Sequence, residues 1–275
     1  MKTDLYLIRA LTNMHVGSGD INYDIIDRQV QKDPVTDLPV IHASSLKGAY
    51  REAAGEESRF TRYIFGPEPG SANEERQTGA FVFFEAFLVA RPVRSNHRPY
   101  YMATSTGVLK RLIQTIEDFS IEIDETLAEA LVRLASVTPS QGTPIIFKET
   151  ESPVYLETVE APAHCEDNIP LHDSLLDLFG EPLALFHDDD FKKLSLPVIA
   201  RNYLEEGISK NLWYEEVVPK ESRFAFALGK PSNVSEADAQ QIEAFEKRFD
   251  TRHTMQFGAN RSIGYGFCKV TKVSS

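Results

Sequence analysis

The chain has 275 residues, 42% of them apolar and 10% aromatic, with a formal net charge of −12. That is enough apolar material for a substantial core in one large domain or two intimate ones, and no apolar run approaches membrane-spanning length, so a membrane partner is not expected. Cys165 and Cys268 stand alone, which argues against a disulfide framework and a structural zinc site and points to a reduced, cytoplasmic protein.

The first residues carry Asp4 and Arg9 inside an apolar run, the pattern of an amphipathic strand and not of a signal peptide. Residues 5–11 read as a buried strand feeding a polar loop that contains His15, Gly17, Ser18 and Asp20, and residues 25–30 read as extended. Ser44 or Ser45 is placed to cap a helix running to about Ala54, with Lys47 in its first turn. A cation there opposes the helix dipole, a conflict that a bound anion would resolve.

Residues 80–90 are nearly all apolar and suit a central strand covered on both faces. Helical spacing follows at Val108, Leu112, Ile113 and Ile116, and again over residues 127–134. From 137 to 190, prolines and acids alternate with short strand-like runs at 145–148 and 154–158, the place for an inserted subdomain. Strands over 212–219 and 222–228, a capped helix over 235–249, and closing strands over 254–258 and 267–273 complete the chain.

Between the closing strands lie Gly258, Arg261, Ser262, Gly264 and Gly266. Glycines let backbone N–H groups approach an anion, and an arginine fork and a serine hydroxyl add directed donors. The same composition also suits a plain hairpin loop. Strand and helix order at the two ends of the chain suggests an α+β fold with ferredoxin-like sheets and helices on one face.

The overall acidity argues against a nucleic-acid partner until it is counted by segment. Residues 1–111 hold 14 Lys/Arg against 13 Asp/Glu, residues 112–190 hold 2 against 18, and residues 191–275 hold 13 against 10. The negative charge belongs to the middle, which leaves the two ends neutral to basic and able to face RNA.

Four segments taken together resemble the RAMP superfamily of CRISPR proteins: His15 with Gly17 and Ser18, the run beginning at Asp27, Ser44 to Gly48 with Lys47, and the glycine loop around Arg261. The stretch from Leu196 to Asn202, followed by Leu212, Trp213, Tyr214, Glu215 and Glu216, looks like the repeated backbone subunit of the type III-B (Cmr) effector complex. The resemblance implies an RRM-like palm from residues 1–111 and 212–275, an acidic inserted helical subdomain over about 112–190, and a thumb-like β-hairpin over about 191–211 with Gly207 at its turn. It further implies copies of the chain stacked along a CRISPR guide RNA beside other Cmr-complex subunits. Such a filament captures complementary target RNA and cleaves it at regular intervals, where the thumb flips a base, in antiviral defence.

Contact with the RNA backbone then falls to His15, Gly17, Ser18, Ser44, Lys47, Gly258, Arg261, Ser262, Gly264 and Gly266. Catalysis falls to Asp27, whose carboxylate would hold a divalent metal, Mg²⁺ or Mn²⁺, against the scissile phosphate or help deprotonate the ribose 2′-hydroxyl. Asp20 and Asp24, or Glu215 and Glu216, are carboxylates that could assist, against the simpler reading of them as solvated strand and loop residues. The alternatives are a structural RNA-binding backbone without nuclease activity and, ranked last, a guide-processing endonuclease. The other six histidines show no ligand spacing and receive no role.

Overall fold

The computed structural model describes residues 1–19, 26–56, 58–67, 78–147, 153–162, 171–250 and 253–273. Asp20, Asp24, His164 and Cys165 lie outside the described residues. In chain order the strands and helices are β1 (Lys2–Ala10), β2 (Val40–Ile41), α1 (Ala43–Ala54), α2 (Arg59–Phe65), β3 (Val82–Phe83), β4 (Ala86–Arg94), β5 (Tyr100–Ser105), α3 (Thr106–Asp118) and α4 (Glu125–Ser136). There follow β6 (Ile145–Ile146), β7 (Val154–Leu156), β8 (Val159–Ala161), α5 (Asp173–Phe179), β9 (Leu183–Phe186), α6 (Asp188–Lys193), β10 (Val198–Glu205), β11 (Ile208–Glu216), β12 (Arg223–Lys230), α7 (Glu236–Phe249), β13 (His253–Gln256) and β14 (Phe267–Lys272).

The fold is α+β, built on one large mixed sheet. At its centre β1 lies between β12 and β14 and is antiparallel to both, and β12 is antiparallel to β4. The sheet continues through β5, antiparallel to β4, to β9, which is parallel to β5. Every residue of β12 is buried, which explains why its sequence is an apolar run without polar alternation. Tyr50 of α1 packs against Phe245 and Phe249 of α7 with centroids 6.0 and 5.1 Å away, and reaches Phe226 of β12. Aromatic contacts therefore pin α1 and α7 side by side over the central strands. Cys268 is buried there as well, and burial pushes its thiol up to about 12, which keeps it protonated and inert.

Several local features differ from the sequence reading, each for a visible reason. Helix α1 starts at Ala43 with His42 as its N-cap and no side-chain cap, so Ser44 and Ser45 lie inside the first turn and Lys47 stands in the second. Gln31 anchors the residues at the start of the helix without capping it. Its Oε1 accepts the His42 N–H at 2.8 Å, and its Nε2 donates to the Ser45 hydroxyl at 3.0 Å. The run 80–90 breaks into β3 and β4, both paired with β12. Strand β5 was not foreseen.

His172 and His187 cap α5 and α6 by accepting the N–H groups of Ser174 and Asp189. Part of the acidic middle is also structural. Asp188 accepts the Gly107 N–H in the first turn of α3 at 2.6 Å, and Asp190 accepts the Gly142 N–H at 2.5 Å.

The hairpin β10–β11 forms a two-stranded sheet of its own. Glu206 and Gly207 have φ of 50° and 80° at its tip, the paired positive φ of a tight hairpin turn. Its second arm continues through Leu212 to Glu216, which the sequence reading gave to the palm. Tyr203 and Leu204 are each 58% exposed and Ile208 62%. Among the described residues no helix is long and apolar enough to cross a membrane.

Candidate functional site

Strand alternation places Trp213 and Glu215 of β11 on the same face of the hairpin as Ile199 and Arg201 of β10. Glu215 is 1% exposed. Its Oε1 accepts from Asn260 Nδ2 at 2.6 Å and lies 3.7 Å from His15 Nδ1, while its Oε2 lies 3.7 Å from Arg201 Nε. The Arg201 guanidinium in turn stacks over Tyr265 at 4.5 Å. A carboxylate this deep costs several kcal/mol unless it is hydrogen-bonded and faces opposite charge; Asn260 of the glycine loop supplies the hydrogen bond and Arg201 of the hairpin the charge.

Glu216 repeats the device. Its carboxylate takes the Val30 N–H at 3.2 Å and pairs with Lys32 at 3.2 Å, and its carbonyl accepts the His15 Nδ1–H at 2.7 Å. The two glutamates weld the root of the hairpin to the rest of the protein, which leaves them poorly placed to assist a reaction.

Asp27 sits against this root. Its Oδ2 accepts the Tyr214 N–H at 2.8 Å. The next residue is pinned on both sides: the Arg28 N–H donates to the Tyr214 carbonyl at 3.1 Å, and the Glu216 N–H donates to the Arg28 carbonyl at 2.9 Å. Asp27 is partly exposed, and its second oxygen has no partner among the described residues.

The glycine loop is tied down from within. A Cβ at Gly258 would overlap the His15 carbonyl oxygen, and the backbone there has φ of 79°, so both space and conformation demand glycine. The Ala259 N–H donates to that same carbonyl at 2.9 Å. The amides of Gly264 and Gly266, expected to face an anion, instead donate to the carbonyls of Arg261 and Asn13 at 3.0 and 2.8 Å. What the loop leaves exposed is its tip, with Ser262 and Arg261, and Arg261 pairs with Glu52 of α1 at 2.8 Å.

His15 is likewise interior, 5% exposed, with Gly17 packed beside its ring. Ser18 and Ser44 are exposed. Gln31 links their surroundings, since its Nε2 reaches the Gly17 carbonyl at 3.1 Å as well as Ser45. Lys47 and Ser44 line a groove of about 560 Å³ with Phe65, Gly66 and Phe83. Partial burial, with help from the neighbouring Arg51 cation, pulls the Lys47 pKa down. An anion in that groove would reverse the shift.

The sequence reading thus located the meeting loops but missed the residues that join them: Gln31, Arg201, Asn260 and Tyr265. Asn260 was the most legible of these, because an Asn in a glycine-rich loop tolerates the left-handed backbone it adopts, φ 67°.

One group of three acids among the described residues is close enough to share an ion, and it is Asp4, Glu246 and Asp250, not Asp27. Its centre is taken by the Lys230 ammonium, 2.8, 2.9 and 3.3 Å from the three carboxylates. At Asp27 one carboxylate oxygen is uncommitted among the described residues. That suits a hydrated Mg²⁺ or Mn²⁺ shared with substrate phosphates better than a protein cage.

A family model described as the RAMP superfamily matches residues 7–269. The chain is 27% identical over 293 aligned positions to the CRISPR system Cmr endoribonuclease Cmr4 of Pyrococcus furiosus, taking in 98% of this chain and 96% of that one. In structure it is similar to a chain of the type III-B Cmr-beta complex bound to cognate target RNA, with a TM-score of 0.78 and 22% identity over 99% and 98% of the two chains. It is also similar to oligomeric Cmr4 from Pyrococcus furiosus, with a TM-score of 0.71 and 21% identity over 100% and 99%.

Proposed function

The chain belongs to the RAMP superfamily, and from that premise we propose that it is the repeated backbone subunit of a type III-B RNA-guided complex. It binds guide RNA, stacks on other copies of itself beside other Cmr-complex subunits, and cuts complementary target RNA at regular intervals. The observation that carries the reading is Asp27, a partly exposed carboxylate fixed by the Tyr214 N–H at the root of a projecting hairpin. The alignment with an endoribonuclease over nearly its whole length supports it.

The order β14-β1-β12-β4, all antiparallel with α1 and α7 in the crossovers, supports reading the central sheet as a ferredoxin-like, RRM-like palm. The acidic stretch 112–190 is the inserted subdomain, and the hairpin is the thumb. A two-stranded hairpin is marginal alone, and its exposed Tyr203, Leu204 and Ile208 suit a wedge between base pairs.

Any guide sequence must be accepted, so contact runs to the RNA backbone. Lys47 and Ser44 in their groove, Ser18, and the loop tip with Arg261 and Ser262 make those contacts. His15, Gly17, Gly258, Gly264 and Gly266 act by shaping the loops.

With the target base displaced, Asp27 takes the proton of the adjacent 2′-hydroxyl and aligns it for in-line attack on the phosphate. In the alternative use of that one free oxygen, Asp27 would be a ligand to a divalent ion brought by the phosphates, which would neutralise charge at the scissile group. In a reconstituted complex, Asp27→Ala should bind target RNA as the wild type does and leave it uncut. Unchanged cleavage would hand the function to a purely structural RNA-binding backbone.

A further inference from the structure

Trp213 belongs to the run that carries the family resemblance, yet neither backbone binding nor proton transfer at Asp27 uses it. Its ring is partly buried, and the Arg28 guanidinium lies over it, 5.2 Å from the centroid. Arg28 is exposed, follows Asp27 directly, and has its backbone held on both sides by the root of the hairpin. Other cations around the root face carboxylates: Arg201 Nε lies 3.7 Å from Glu215, Lys32 pairs with Glu216, and Arg261 pairs with Glu52. Among the described residues Arg28 has no carboxylate partner. A guanidinium held by an aromatic face keeps its N–H fork free for another ligand and loses little freedom on binding it. The ligand that matches a free, planar, bidentate fork next to Asp27 is a phosphate.

We propose that Arg28 is a second catalytic residue, its fork aimed at the non-bridging oxygens of the scissile phosphate, with Trp213 as its positioning residue. This rests on the assignment of cleavage to Asp27. The 2′-hydroxyl gives its proton to Asp27, and the 2′-oxygen bonds to phosphorus. The bond from phosphorus to the 5′-oxygen breaks, and that oxygen takes a proton from solvent water, leaving a 2′,3′-cyclic phosphate and a 5′-hydroxyl. Negative charge gathers on the non-bridging oxygens midway, where a fixed guanidinium stabilises it more than in the starting phosphate.

The test is single-turnover cleavage by reconstituted complex carrying wild-type, Asp27→Ala, Arg28→Ala or Arg28→Lys subunits. The targets bear oxygen or either phosphorothioate diastereomer at the cut linkage. Arg28→Ala should slow cleavage by about 10²–10³-fold with target affinity unchanged. One sulfur diastereomer should slow the wild type and make no further difference to Arg28→Ala. Arg28→Lys, which keeps a cation over Trp213, should fall between them, and it carries the same sulfur test if the alanine variant does not assemble.

Full-rate cleavage by Arg28→Ala beside an inactive Asp27→Ala overturns this inference alone. Full-rate cleavage by Asp27→Ala overturns the reading beneath it. Loss of rate together with target affinity, with the sulfur effect retained, makes Arg28 a mere support of the hairpin and overturns the inference too.

Discussion

Lys230 and Glu215 are both buried charges ringed by groups of opposite or complementary character, and the contrast between their surroundings separates scaffold from site. Around Lys230 the ring is closed: Asp4, Glu246 and Asp250 face one ammonium, Lys272 adds a second cation at 3.2 Å from Asp4, and the Tyr6 hydroxyl donates to Asp250. Around Glu215 the partners come from segments far apart in sequence, and immediately beside them Asp27 and Arg28 keep groups uncommitted among the described residues. A closed ring holds strands and α7 together. An open edge on a rigid support is where a ligand can be met.

The largest effect that sharpens this contrast is at the open edge. Asp27→Asn keeps an oxygen for the Tyr214 N–H but removes the base, so target cleavage should drop by about 10²–10⁴-fold with thermal stability unchanged. A parallel loss of stability would mean that Asp27 is part of the weld.

At the closed ring, Lys230→Met leaves three carboxylates without their cation. Urea unfolding of the chain should report a loss of about 3–5 kcal/mol. A loss below about 1 kcal/mol would place the cluster among ordinary surface pairs.

Glu215→Gln removes the charge while keeping an acceptor for Asn260, and should cost about 1–3 kcal/mol. Slower cleavage should accompany it although Asp27 is intact, because the root that positions Asp27 has loosened. Full activity with lost stability would uncouple the weld from the site.

The smallest effect is on pH dependence. Burial raises the Asp4 carboxyl, but the hydrogen bond and charge of Lys230, with Lys272 behind, hold it below the ordinary 3.8. Its contribution is therefore present above that value and lost as pH falls through the lowered one. Burial works against the Lys230 ammonium, yet Asp4, Glu246 and Asp250 raise it above 10.5. Its contribution is complete below 10.5 and lost as pH rises through the raised value. Unfolding free energy measured against pH should fall at both extremes, and Lys230→Met should flatten the alkaline limb.

Much of this was legible because the signals were local. The apolar run of β12, the spacing in α3, and the Gly207 turn each follow from neighbouring residues. The glycine loop was found by composition, but the destination of its amides was not, since Asn13 supplies the acceptor for Gly266 from the other end of the chain. The start of α1 depends on the same kind of distant contact: Gln31, eleven residues before His42, accepts the His42 N–H ahead of the helix, and no side chain caps the first turn. Glu215 and Glu216 read as spare carboxylates because sequence does not reveal burial, and Trp213 read only as a family mark because its partner, Arg28, comes from the opposite end.

The most direct measurement is a structure of the assembled complex with guide RNA and a target bearing 2′-deoxyribose at the cut position. The expected map has an apolar hairpin wedge beside a displaced target base, with the Asp27 carboxylate facing the 2′ carbon of the cut position, where the hydroxyl would stand. A map in which the hairpin meets no duplex, or Asp27 faces protein while another residue approaches the cut phosphate, contradicts the assignment of cleavage to this root.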